Sequence, residues 1–215
     1  MSHHDDFAFD PVKGLPEHLP QGETMLWQGS PRWQGLAVHA FHTRKVAIYF
    51  AILAAAQSVF RFADGAPAGE ALKPFIWYSI LACLSIAILT GLAWLSARTT
   101  IYTITTKRVV MRIGMALPLT LNLPYSKIES ANLRLHTDGT GDLPLMLSKE
   151  DRVAWAVLWP HARPFRFSHP EPMLRAIPDA AQVGACLASA LQGVAQTPMK
   201  STKSAVRFAP HIVTA

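Results

Sequence analysis

Two long apolar blocks, Val46 to Phe62 and Phe75 to Ala97, interrupt a chain whose other apolar positions recur at short periods. The second block runs 23 residues without a charge, and about 20 apolar residues suffice to cross the hydrocarbon core of a bilayer. It predicts a transmembrane helix over 75–97. The first block has 17 residues and contains Gln57 and Ser58, a length that also fits a buried helix or the core of a signal peptide. Because it begins about 45 residues into the chain, a signal peptide is disfavoured and a first transmembrane helix over 45–62 is expected. Asp64, Gly65, Pro67, Gly69, Glu70, Lys73 and Pro74 fall between the blocks and predict an external, periplasmic loop over 63–74.

Upstream, residues 1–31 hold Asp5, Asp6, Asp10, Pro11, Gly14, Pro16 and Pro20 with little periodicity, which predicts a mobile or loosely docked arm containing one short apolar piece, TMLWQG. Over 32–44, Trp33, Leu36, Ala37, Ala40 and Phe41 fall at helical spacing. This predicts an interfacial helix leading into the first span. After Arg98 the period becomes two. TTIYTIT and RVVMRIG, separated by a tight polar turn at Thr106 and Lys107, read as a hairpin with Val109, Met111 and Ile113 on one face and Arg108, Val110 and Arg112 on the other. Further strands are expected over 117–123, 127–136, 143–147, 152–159 and 164–167, separated by Pro, Gly and Asp punctuation. In the sixth of these seven strands, 152–159, Val153, Trp155, Val157 and Trp159 would alternate into the core. Asp179 and Gln182 form a capping-box pattern ahead of a helix striped by Val183, Leu187, Ala190 and Leu191. A small β-sandwich or barrel closed by a C-terminal helix, over 98–192, is the expected soluble domain, with a disordered tail over 193–215.

Composition agrees with the membrane reading: 50% of the residues are hydrophobic and the mean hydropathy is +0.20, more apolar than a soluble domain of this size needs. The formal charge of +6 is concentrated after Ala97, where 14 Lys and Arg face 7 Asp and Glu. Such a domain is attracted to an anionic leaflet. Nucleic acid is not an expected partner, since no RNP-like, zinc-finger or recognition-helix pattern accompanies the charge. Arg44, Lys45, Arg98, Lys107, Arg108 and Arg112 flank one side of the spans and only Arg61 and Lys73 the other, which places both termini in the cytoplasm. Arg44, Lys45 and Arg98 read as headgroup anchors, and Trp77, Tyr78 and Trp94 as interfacial aromatics. Cys83 and Cys186 suggest neither a disulfide framework nor a thiolate metal site.

Candidate chemistry is sparse. The stretch DGTGDLP, with Asp138, Gly139, Gly141 and Asp142, reads first as a hairpin turn and second as a binding loop. Trp159, His161 and Arg163 share one exposed, proline-rich corner suited to a partner, since Trp and Arg are favoured anchors. His39 and His42, just before the first span, could touch the magnesium of a chlorin pigment transiently, although a neutral imidazole at an interface needs no such role. Gln57, Ser58, Ser79, Ser85 and Thr90 in the spans fit helix-to-helix contacts better than a transport path, because no ionisable residue sits in mid-span. Hydrolase, metalloprotease, P-loop and dinucleotide-binding motifs are absent, and no enzyme activity is expected.

The strand order and the hairpin IYTITTKRVVMRIG directly after a membrane helix resemble the bacterial pleckstrin-homology (PH)-like domains of membrane proteins. The segments ETMLWQGSPRW, HTRKVAIYF, LPYSKIESANLRLHTDGTGDLPLML, LWPHARPFRF and PMLRAIPDA resemble, more closely, the PuhB family of photosynthetic-complex assembly proteins of purple bacteria, from about Leu19 to Leu191. The resemblance implies an α+β membrane protein of the bacterial inner (intracytoplasmic) membrane, with two transmembrane helices followed by a cytoplasmic PH-like β-sandwich or barrel and a C-terminal helix. It further implies a non-enzymatic factor, open to self-association, that binds nascent reaction-centre subunits and the core antenna. It implies no resident cofactor beyond a transient bacteriochlorophyll contact. The alternative expectation, from the fold and the charge, is a membrane-anchored lipid-binding or stress-response module using Lys107, Arg108 and Arg112.

Overall fold

The structure, a computed structural model, describes residues 14–15, 17–114, 118–148, 154–164, 166 and 168–195. The apolar blocks form α2, Thr43–Ala63, and α3, Ala68–Thr99. At a rise of 1.5 Å per residue these are about 32 and 48 Å long, each enough for a hydrocarbon layer about 30 Å thick. The helices are packed against each other and the connection is shorter than expected, residues 64–67. Ala68 to Pro74 already belong to α3, with Glu70 in its first turn paired to Lys73. Ile48, Ile52, Phe60, Ile76, Leu84 and Ile88 are each more than half exposed, and only 6% and 11% of the most apolar windows of α2 and α3 are covered by protein. A core helix of a soluble domain would be mostly covered. These two are long and apolar enough to cross a membrane, and most of their apolar surface is left uncovered by the described residues.

Of the segment expected to be a loose arm, residues 1–13 and 16 lie outside the described residues, and the rest is part of the domain. β1, Met25–Gly29, pairs antiparallel with β2, Ile101–Thr105, so that Gln28 lies opposite Thr103 and donates its side-chain amide to the Thr103 hydroxyl at 2.9 Å. The two long helices are therefore inserted between the first two strands of one sheet. Leu15 is buried, and Gly14 approaches Ile101 so closely that a Cβ there would meet its Cγ2 at 2.6 Å. β2 turns through Thr106 and Lys107 into β3, Arg108–Ile113, which pairs with β4, Leu119–Pro124. Val109, Met111 and Ile113 point inward beside Tyr102 and Ile104, as the alternation predicts.

The second sheet is built around β7, Thr140–Leu147. β5, Ile128–Ala131, and β6, Arg134–Leu135, lie along one edge as two pieces of the strand expected over 127–136, interrupted at Asn132 and Leu133; β8, Met173–Pro178, lies along the other. Helix α5, Ala180–Ala195, packs Val183 and Leu187 onto the core between the sheets. Asp179 enters it at φ 52°, and its carbonyl accepts the amides of Gln182 and Val183.

Two expected strands are not present as drawn. Residues 151–153 lie outside the described residues, and Trp155–Leu158 form a single helical turn, α4. A helical turn brings Trp155 and Leu158, three apart, onto the core and leaves Val157 and Trp159 outside, so Trp155, Val157 and Trp159 do not share a face. Of 164–167, Phe165 and Phe167 lie outside the described residues and Pro164 is in a turn; the neighbouring chain makes only an isolated bridge between Ala162 and Pro172. Of the expected tail, residues 193–195 end α5 and 196–215 lie outside the described residues.

Candidate functional site

The most constrained region is the junction between the helix pair and the sheets. The stripe predicted to lie on the membrane surface starts as a short helix, α1, Trp33–Gly35, and continues as a wider turn over Leu36–Ala40. Leu36, Ala37 and Phe41 are buried, but against Ala93 and Ala97 of α3 and Ala176 of β8. This corrects the interfacial-helix expectation. Periodicity gives the apolar face and not its cover, and here small side chains on α3 and β8 admit the turn. Gly35 is required by the same closeness, since a Cβ would lie 2.8 Å from that of Ala176 and 3.3 Å from Thr140 Oγ1.

Ala176 itself sits at φ 46°, unusual for a residue with a side chain. Arg175 and Ala176 together oppose Asp142, a bulge in the β7–β8 ladder. The buried Asp142 carboxylate accepts the Ala176 amide at 2.9 Å, and the Ala176 carbonyl accepts the Arg32 amide at 2.8 Å. Asp142, expected in an exposed loop with Gly141, is thus in strand β7 with Gly141, both buried, because the hairpin turn is tighter and ends before Thr140. Of these four candidates, Asp138 and Gly139 are in the exposed turn, Gly139 at φ 78°.

A buried hydrogen-bond chain ties this bulge to the end of α3. The Arg175 amide donates to Tyr102 Oη at 3.2 Å, Tyr102 Oη lies 2.6 Å from His161 Nδ1, and His161 Nε2 lies 3.1 Å from Thr100 Oγ1 and 3.3 Å from Ser96 Oγ. With the tyrosine hydroxyl donating to Nδ1, the Nε2 hydrogen faces the two hydroxyls. Complete burial, with Arg175 adding to it, pushes the His161 imidazole down to about 3 and burial raises the Tyr102 phenol. Both are neutral. The Arg175 guanidinium donates to the Pro160 carbonyl at 3.0 Å, closing the chain around the corner.

The expected exposed corner is therefore divided. His161 is fully buried, a correction that follows from its three polar neighbours on α3 and β2. Arg163 is held at 2.7 Å by the buried carboxylate of Glu171. Trp159 remains 43% exposed and sits edge-on to Phe41, with centroids 5.4 Å apart. His39 does not stand alone ahead of α2: its ring stacks on His136 at 3.7 Å, and its Nε2 is 3.3 Å from Asp138 Oδ2, while His136 Nε2 is 3.0 Å from Asp142 Oδ2. Burial pushes the Asp138 carboxyl up, but hydrogen bonds from the Thr140 hydroxyl and amide, together with His39, outweigh it and hold it below its usual value. These four residues come together across the seam, yet no group of three or more His, Cys, Asp or Glu fit to hold a metal occurs among the described residues. His42 caps α2 at φ 56°, and burial, with Lys45 and Arg175 nearby, lowers its imidazole.

Among the anchors, Arg44 and Lys45 are exposed at the start of α2, and Trp77 is 67% exposed on α3. The Arg98 guanidinium lies 5.3 Å over the Trp94 ring. In the basic hairpin, Arg108 Nε donates to Glu23 Oε1 at 2.8 Å. Burial raises the Glu23 carboxyl, and the bonds from Arg108 and Thr105 more than reverse this. No spacing in the sequence connects Tyr102, Thr100, Ser96 and Arg175, which converge only when β2, β8 and α3 meet, or His136, which meets His39 and Asp142 only in the folded chain.

The sequence pattern of the bacterial PH domain matches residues 41–191. The chain is 36% identical over 199 residues, 92% of each chain, to a Rhodobacter capsulatus protein described as an uncharacterized 23.7 kDa protein in the puhA 5' region. No solved structure matches.

Proposed function

Because the chain belongs to the bacterial PH domain family, we propose that it serves as a non-enzymatic assembly factor for the photosynthetic reaction centre and core antenna. In this reading α2 and α3 cross the bacterial inner membrane and the PH-like domain stands on the cytoplasmic side. The observation that carries the reading is the Rhodobacter capsulatus relative, which is named for its place beside the photosynthesis gene puhA and is similar over nearly its whole length. The architecture supports it. Two helices with uncovered apolar faces could meet nascent membrane subunits, and the buried junction would hold the domain in a fixed position above them.

Deletion of the gene in a photosynthetic host should deplete reaction-centre absorbance while pigment synthesis continues. Affinity capture from solubilised membranes should recover reaction-centre or antenna subunits. Normal reaction-centre levels in the deletion strain would refute the proposal.

A further inference from the structure

We propose that the corner carrying Val157 and Trp159 is a third contact with the bilayer, in which the Trp159 indole enters the headgroup layer beside the start of α2. The inference rests on the reading that these two helices cross a membrane. It begins with position. The helices are antiparallel with a short connection, and α3 is the longer by 11 residues, about 16 Å, so its last turns run past the start of α2 at Thr43 and lie beside Leu36, Ala37 and Phe41, which pack against Ala93 and Ala97. Trp159 is fixed to both ends: its ring is edge-on to Phe41, two residues before α2, and two residues beyond it His161 reaches Ser96 and Thr100 at the end of α3.

Exposure and chemistry give the occupant. Trp159 and Val157 are 43% and 48% exposed, whereas Leu158, between them, and Pro160 and His161, behind them, are buried. The corner is thus a rigid apolar projection. Trp94, near the same end of α3, is 48% exposed with Arg98 over its ring, a pairing suited to the layer where indoles and guanidinium groups meet headgroups. Arg44 and Lys45, exposed at the start of α2, supply positive charge for anionic lipid. The projection abuts Phe41 just before α2, whose apolar face is uncovered, and a lipid surface is the partner that meets both.

The full chain, reconstituted in phosphatidylcholine–phosphatidylglycerol vesicles, provides the test. An NBD probe is attached at position 159 in a Trp159→Cys, Cys83→Ala, Cys186→Ala chain, and separately at native Cys83 in a Cys186→Ala chain. Cys83 is exposed near the middle of the apolar part of α3. Lipids carrying a doxyl quencher near the headgroup should quench the position-159 probe more strongly than mid-chain doxyl lipids, with the opposite order at Cys83. A probe at 159 that neither lipid quenches, with Cys83 quenched by the mid-chain doxyl, overturns the inference and leaves the spanning helices intact. A Cys83 probe that mid-chain doxyl does not quench removes the spanning reading and the inference with it. If Trp159→Cys fails to fold, Val157→Cys carries the probe and is judged in the same way.

Discussion

His161 is held neutral by burial, and this should be measurable as an acid limb in the stability of the protein. Its ordinary value is 6.5 and its folded value about 3. The unfolded chain therefore binds a proton that the folded chain refuses. The contribution of the group is fully present above the unfolded value, falls as pH drops below it, and is exhausted only below the folded value. Between about pH 7 and about pH 5 this single site should remove about 2 kcal/mol, the slope approaching 1.4 kcal/mol per pH unit. Arg175 is the charged side chain pressing on it, and it does not titrate in this range. Replacement with a residue that can hydrogen-bond but not titrate, His161→Gln, isolates the effect. The variant should be less stable at neutral pH by about 1–3 kcal/mol, since Tyr102, Thr100 and Ser96 lose part of their bonding. The gap between wild type and variant should then narrow by about 2 kcal/mol on acidification to about pH 5, because all other titrating groups are common to both chains. Urea unfolding of the detergent-solubilised full chain, followed by near-ultraviolet circular dichroism at constant ionic strength, reads the gap directly. A gap that stays constant across this range would refute the assignment of a buried neutral imidazole.

Four other outcomes follow from the junction and the sheets. Gly35→Ala should cost about 1–3 kcal/mol in thermal or urea unfolding, because the added methyl meets Ala176 in a closed contact. Asp142→Ala should cost about 1–3 kcal/mol by leaving the buried Ala176 amide without its acceptor; a cost equal to that of an exposed control such as Asp138→Ala would contradict the bulge assignment. Arg108→Ala should destabilise by about 3 kcal/mol, more than Glu23→Gln, since it strands a buried carboxylate whereas the latter leaves an exposed-side guanidinium that water can reach. A fragment of residues 99–215 lacks β1 and should aggregate or show poorly dispersed NMR amide signals, while co-expression with residues 14–31 should improve its solubility.

What could be read from the sequence was what repeats along it. The two apolar blocks, the β2–β3 hairpin with its inward Val109, Met111 and Ile113, and the α5 stripe all declare themselves within a few residues, and all are present. Two kinds of feature were not legible. Trp155 to Trp159 carries large apolar residues at alternate positions, which a strand and a helical turn followed by an extended corner satisfy equally; the tertiary choice was made by Leu158 and His161, which need burial against β2 and α3. Residues 25–29 look like a short apolar piece in an arm because their partner strand lies beyond both long helices. His161 was read as exposed from its prolines and arginine neighbours, since composition cannot report that Ser96, Thr100 and Tyr102 converge on its ring.

The same non-local contacts decide how the helices and the domain move. One residue, Thr100, separates α3 from β2, and its hydroxyl is bonded to His161. On the other side of the insertion, β1 is hydrogen-bonded to β2, Arg32 is bonded to the β8 bulge, and Leu36 and Phe41 are packed against α3. A domain on a flexible linker would rotate freely whatever the helices did. Here a tilt of the α2–α3 hairpin has no joint at which to dissipate: it must either carry both sheets with it or break the Tyr102–His161–Thr100 chain, whose buried polar groups have no water to replace their partners. Coupling of this kind suits a protein in which the arrangement of the two long helices and the orientation of the PH-like domain are read together.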